Sequence, residues 1–138
     1  MKFERRTDPY ATHLRDALDA ISPGISSNLD RARELPEPEA GRLIAAILDR
    51  ACLATHDGAI TIGRKVAAEL PRQWLITRIQ RVADETLDLK DEWDYRRLAE
   101  LYEKLDSTLL SAHIQRGLSS QQPEIIEAAN DYSQHQRA

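Results

Sequence analysis

The stretch P-E-A-G-R-L-I-A-A-I-L-D-R-A-C, residues 38–52, decides the fold class of this chain. Its apolar side chains recur at intervals of three and four residues, which places them on one wide face of an α-helix. That face comprises Ala40, Leu43, Ile44, Ile47, Leu48, Ala51 and Cys52. Charged side chains such as those of Arg42 and Asp49 fall outside it. The stretch therefore predicts a helix that buries one broad side against neighbouring segments.

Toward the N terminus, the sequence predicts a further helix with a defined start and end. Asp8-Pro9 is typical of a helix start, because aspartate caps the first turn and proline is tolerated at the first helical position. The apolar periodicity that follows ends at Pro23-Gly24. A shorter helical segment comes next. Residues 1–37 are thus predicted to form N-terminal capping helices.

The segment Ala59-Ile60-Thr61-Ile62-Gly63 fits two kinds of secondary structure. Its alternating apolar residues are compatible with a short strand. An isolated strand would have no partner elsewhere in the chain, and a helical period accounts for more of the surrounding apolar residues. We therefore predict a helix across residues 59–63.

The C-terminal half carries several helix boundary signals. Asp91 and Asp106 each precede an apolar periodic run and are predicted N-caps. Gly117 is predicted to end a helix in the left-handed conformation that glycine adopts readily. A proline at position 123 opens the last helix, and the polar residues 133–138 are predicted to form a frayed tail.

Together these signals predict an all-α fold in one domain, residues 1–138. About seven to eight helices are expected to stack as antiparallel pairs, because a single amphipathic helix pair cannot bury its apolar side alone. Only 5% of the residues are aromatic and five are glycine, which argues against a β-sandwich, a barrel or a glycine-rich nucleotide fold. The pairs form either a solenoid or an irregular helical bundle.

Weak internal similarity at intervals of about 30 to 35 residues favours the solenoid. Leu43 and Ile47 correspond in this scheme to Leu75 and Ile79. The stretch Q-P-E-I-I-E-A-A at residues 122–129 resembles the start of a second helix in the HEAT-type α-helical repeat. The resemblance implies three HEAT-like helix pairs over residues 38–132. A compact bundle remains the alternative, since amphipathic helices in general share such spacing.

Composition excludes several classes of function. The longest apolar run is far shorter than the roughly 18 residues that a membrane span requires, and Met1 to Arg6 do not open a signal peptide, so we expect a cytoplasmic protein with no membrane association. The single cysteine, Cys52, cannot form an internal disulfide or a multi-thiolate metal site. Gly58 and Gly63 match no phosphate-binding loop. We expect no cofactor and no metal.

A small enzyme is the alternative from another class. Cys52 and His56 are four residues apart, a spacing compatible with a thiolate–imidazole pair or two metal ligands. The favoured interpretation is a buried cysteine beside a histidine in a turn. His113, near an apolar helix face, is expected to be a hydrogen-bonded histidine at the edge of the core rather than a base. Acidic pairs such as Glu100 with Glu103 suit capping better than catalysis.

The most informative segment combines acids with aromatic side chains. Residues 84–106 contain nine acidic and four basic residues. We predict that Trp93 points inward with the apolar face of its helix, and that Tyr95, two positions on, is an exposed aromatic residue that anchors a partner. The alternative is that Tyr95 packs on the next helix and that the charges are only solvated. Arg96 and Arg97 are expected to pair with acids one helical turn away.

The predicted function is a non-catalytic protein–protein interaction module such as an adaptor, inhibitor or immunity-type protein. With a net charge of −4, the expected partner is a protein, of basic character, and nucleic acid is unlikely. An oligomeric structural protein is a third possibility. The predicted contact residues are Trp74, Trp93, Asp94, Tyr95, Arg96 and Arg97.

Overall fold

The structure, a computed structural model, describes residues 8–137 and contains no strand among them. The predicted all-α fold is confirmed. Two short 3₁₀ helices, Ile25–Ser27 and Leu29–Glu34, and a π-helical segment, Asp49–Leu53, interrupt the α-helices. The α-helices are α1 (Pro9–Ile21), α2 (Glu37–Leu48), α3 (Asp57–Glu69), α4 (Arg72–Thr86), α5 (Glu92–Leu105), α6 (Ser107–Leu118) and α7 (Pro123–Arg137). No helix in this part of the chain is long and apolar enough to cross a membrane.

Aspartate side chains begin three of these helices, as predicted. The Asp8 carboxylate accepts a hydrogen bond from the Tyr10 backbone N–H at 2.9 Å. Asp91 accepts from two backbone N–H groups of the first turn of α5, and Asp106 does the same for α6. Each cap satisfies donors that the helix itself leaves without acceptors, so these boundaries are set locally.

Helix α1 ends as predicted, and side-chain hydrogen bonds stabilise the segment that follows it. Gly24 has a positive φ of 81°, which glycine adopts without strain. Beyond this turn, the Asp19 carboxylate accepts hydrogen bonds from the backbone N–H of Ser26 at 2.9 Å and from its hydroxyl at 2.8 Å. These two bonds lower the pKa of Asp19 and hold the first 3₁₀ helix against α1.

The contribution of Asp19 to stability is expected to depend on pH. Because its folded-state pKa is lowered, the stabilisation is present at neutral pH and is lost as the pH falls through the folded-state value, below about 4. Asp19→Ala should therefore lower the urea midpoint of unfolding at pH 7 more than at pH 3. An equal loss at both pH values would show that the charged carboxylate contributes nothing beyond its packing.

Residues 59–63 lie within α3, which confirms the predicted helix. The His56 side chain caps this helix, since its Nδ1 accepts a hydrogen bond from the Gly58 backbone N–H at 3.2 Å. The His56 ring also stacks on Tyr10 of α1, with ring centroids 4.5 Å apart. The start of α3 is thereby fixed both locally and against α1.

The described chain forms two compact units, divided between Thr86 and Leu87. In the N-terminal unit, α2 packs against α1, α3 and α4, and the π-helical segment packs against α3. The predicted apolar face of residues 38–52 is buried throughout, with no member more than 3% exposed. That helix is the centre of the N-terminal unit because its wide apolar face serves three neighbours.

In the C-terminal unit, each of α5, α6 and α7 packs against the other two. The α5 side chains that enter its core are Tyr95, Leu98, Ala99, Leu101, Tyr102 and Leu105. From α6 come Leu109, Leu110, His113 and Ile114, and from α7 come Ile125, Ala128, Ala129 and Tyr132. Three mutually packed helices give this unit an apolar core of its own.

One prediction for the C-terminal half is wrong. Gly117 does not end its helix in the left-handed conformation, because α6 continues to Leu118 and Gly24 is the one described glycine with a positive φ. Gly117 is instead a close-packing residue against Tyr95. Helix α7 includes residues 133–137, and the predicted fraying of this tail stays a prediction. Ala138 lies outside the described residues, as do residues 1–7 of the predicted N-terminal cap.

The three helix pairs of the HEAT-like scheme correspond to α2 with α3, α4 with α5, and α6 with α7. Helices of the first pair contact each other, as do helices of the third. The second pair has one helix in each unit. Repeat stacking over residues 38–132 stays a prediction.

Candidate functional site

Tyr95 is the central side chain of the C-terminal unit and is only 1% exposed. Its hydroxyl donates a hydrogen bond to the His113 carbonyl oxygen at 2.8 Å, and His113 Nε2 bonds to the Tyr95 carbonyl oxygen at 3.0 Å. The two rings stack with centroids 4.0 Å apart. Burial raises the pKa of Tyr95 to about 12. The prediction of an exposed Tyr95 anchor is wrong, and the core-edge interpretation of His113 is confirmed.

Trp93 is the exposed aromatic residue, with 62% of its surface accessible. The prediction that it points inward is wrong. Two residues correspond to about 200° around a helix, so Trp93 and Tyr95 cannot share the buried face. Tyr95 enters the core because its hydroxyl finds an acceptor there, and Leu98, Tyr102 and Leu105 continue the same face at helical spacing. Trp93 is left on the outer side of α5.

The outer side of α5 forms a candidate interaction surface, which we call the Trp93 face. It consists of Trp93, Arg96, Arg97 and Glu100, spaced so that they lie along one side of the helix. The Arg97 guanidinium lies over the Trp93 ring, 5.8 Å from its centroid, and bonds Glu100 at 3.3 Å. Cation–π and ionic contacts thus hold the indole against its own helix while most of it stays exposed.

Arg96 ties this face to α7. Its Nε lies 2.8 Å from Glu92 and one terminal nitrogen lies 3.0 Å from Asp131, leaving 18% of the side chain exposed. The Tyr132 hydroxyl makes a parallel link by donating to Glu100 at 3.0 Å. The predicted pairing of both arginines with acids one turn away is confirmed. Asp131 was missed, because no local pattern relates it to a residue 35 positions earlier.

The remaining predicted contact residues do not join the Trp93 face. Asp94 accepts a hydrogen bond from the Asp88 backbone N–H at 2.9 Å, so it holds the segment before α5. Its partial burial raises its pKa, and the charges of Asp91 and Asp88 add to that effect. Trp74 belongs to the N-terminal unit and is 7% exposed, with Arg78 over its ring. Trp74 is therefore a core residue.

Cys52 and His56, the candidate pair of the enzyme alternative, lie in different environments. Cys52 is 3% exposed within the π-helical segment. His56 lies at the surface with Nδ1 engaged in capping α3, so the two do not line a common cleft. Among residues 8–137, no group of three or more potential ligands is arranged to hold a metal ion. Glu100, an acid of the catalytic hypothesis, accepts hydrogen bonds from Arg97 and Tyr132.

Charge is unevenly divided between the two units. Residues 87–138 contain ten acidic and six basic residues, whereas residues 1–86 contain thirteen of each. The whole net charge of −4 therefore belongs to the C-terminal unit, which also carries the Trp93 face.

Comparison of the chain with models of protein families, with curated proteins and with solved structures found no match.

Proposed function

We propose that this protein is a non-catalytic protein–protein interaction module that binds a basic protein through the Trp93 face. The exposure of Trp93 carries the proposal. Tryptophan is the side chain most enriched among residues that dominate binding energy, and 62% exposure is unusual for so large an apolar ring. Its contact with Arg97 reduces the freedom that the ring would lose on binding.

The positive charge of the proposed partner follows from the charges around the Trp93 indole. The C-terminal unit has an excess of four acidic residues, and the arginines of the Trp93 face are already paired with carboxylates. A basic partner would gain from this field during encounter, and added salt would slow its association. Nucleic acid is disfavoured, because phosphates require arginine and lysine side chains that are not neutralised by neighbouring acids.

The proposal is tested by comparing the proteins that immobilised wild-type protein captures from cell lysate with those that immobilised Trp93→Ala captures. We expect the wild type to retain a basic protein in a fixed ratio, with binding that weakens as salt is added. Trp93→Ala should raise the Kd at least about tenfold, since central tryptophans contribute about 2 kcal/mol or more. Purified partner and titration calorimetry would then give both dissociation constants.

Leu118→Ala is the matched control, because Leu118 is also an exposed apolar residue of the C-terminal unit, at 36%. It should leave the Kd unchanged. A second readout uses Trp74→Phe, which leaves Trp93 as the sole tryptophan, so that its fluorescence reports burial of the indole directly. Equal affinity of the wild type and Trp93→Ala, or capture of acidic proteins alone, would contradict the proposal.

A further inference from the structure

A cavity of about 210 Å³ lies in the N-terminal unit, whereas the Trp93 face belongs to the C-terminal unit. It is formed between α1, the two 3₁₀ helices and α3. Its walls are mainly aliphatic and include Leu14, Leu18, Leu29, Ile62 and Val66. An apolar cavity of about 150 Å³ is already large enough for benzene, so this one has room for a single ring or about six to eight carbons.

Two cationic side chains line the same cavity, Arg15 from α1 and Lys65 from α3. Both are exposed, and neither forms an ion pair with any residue that the structure describes. Arg15 is near enough to Asp19 to lower its pKa, but the Asp19 carboxylate bonds Ser26. The aliphatic walls therefore carry two positive charges that no carboxylate within residues 8–134 pairs with.

Glu69 is the acidic member of the lining and lies one helical turn after Lys65 on α3. It also lines a neighbouring hollow formed by residues 26–30, which neither Arg15 nor Lys65 reaches. The acid thus lies at the end where the cavity meets that hollow. With two cations, Arg15 and Lys65, against one acid, the charged side chains of the lining have a formal charge of +1.

We propose that this cavity binds a small carboxylate with an apolar body. The aliphatic walls bury the body, and Arg15 and Lys65 bind the carboxylate. Few polar groups at the edge of an apolar cavity are the usual composition of a small-molecule site. An uncharged or cationic amphiphile would bring no counter-charge to the two cations.

The test compares octanoate, octanol and octylamine, which share a chain and differ in charge, by titration calorimetry or NMR below their aggregation concentrations. We expect octanoate to bind once per chain and to bind more tightly than octanol, with octylamine the weakest. Lys65→Gln and Arg15→Gln should each weaken octanoate binding about threefold and leave octanol binding unchanged, since an ion pair at an exposed site is weak. Lys104→Gln, in the C-terminal unit, is the control.

Ala11→Phe supplies the second test, because Ala11 lines the cavity and the added ring would fill it. It should abolish octanoate binding without lowering the unfolding midpoint, and Val66→Phe should do the same from α3. Octanoate binding that survives either filled cavity, or octylamine binding as tightly as octanoate, would overturn the proposal. So would the absence of saturable octanoate binding to the wild type.

Discussion

Gly117→Ala is expected to destabilise the C-terminal unit by about 3 kcal/mol, the upper end of the usual cost of overpacking. An alanine Cβ at this position would overlap the Tyr95 hydroxyl oxygen, and it would lie 2.6 Å from the adjoining ring carbon and 2.8 Å from the Ala129 Cβ. None of these atoms is the end of a flexible chain. Tyr95 is held by its hydrogen bond and by stacking on His113, so relief of the clash costs those contacts.

Urea unfolding would measure the loss of stability, and hydrogen exchange would locate it in α5 and α6. Gly41→Ala is the matched control, because Gly41 lies within α2 and a Cβ there would meet nothing within 4 Å. Alanine is favoured over glycine in a helix by up to about 1 kcal/mol, so the control should be neutral or stabilising. Equal stability of Gly117→Ala and the wild type would contradict the packing of Tyr95 described above.

A double variant makes the cause specific. Tyr95→Phe removes the hydroxyl that lies nearest to the added Cβ, although the ring carbon at 2.6 Å remains. The two substitutions together should therefore cost less than the sum of their separate costs, as expected for residues in direct contact. Simple additivity would show that Gly117→Ala acts through something other than the phenol.

Gly63→Ala is expected to destabilise the N-terminal unit by about 3 kcal/mol or more. A Cβ on Gly63 would lie 2.5 Å from the Ala51 backbone nitrogen, 2.9 Å from its Cα and 3.0 Å from the Arg50 carbonyl carbon. All three neighbours are backbone atoms, so no side-chain rotation removes the overlap. The π-helical segment and α3 would have to move apart, which exposes apolar surface that both now bury.

Thermal and urea unfolding would measure this loss, again beside Gly41→Ala. Gly63→Ser should be at least as destabilising as Gly63→Ala, since it adds an oxygen to the same Cβ. An unchanged urea midpoint in Gly63→Ala would mean that α3 and the π-helical segment lie farther apart than described.

The sequence by itself determined the features that depend on neighbours within one or two helical turns. The apolar face of residues 38–52, the caps at Asp8, Asp91 and Asp106, and the pairing of Arg96 with Glu92 are all contacts between residues at most a few positions apart. Such contacts are set by helical geometry alone, so the periodicity of the chain is enough to predict them. The all-α class follows from the same periodicity.

Only the tertiary structure decided which aromatic of α5 is buried, why position 117 is glycine, and that Asp131 pairs with Arg96. Helical spacing shows that Trp93 and Tyr95 point to different sides, but the choice between them depends on an acceptor supplied by His113, 18 positions from Tyr95. The cavity with Arg15 and Lys65 likewise needs α1 and α3 to be brought together. Contacts between distant residues depend on how helices pack, and local periodicity carries no information about that packing.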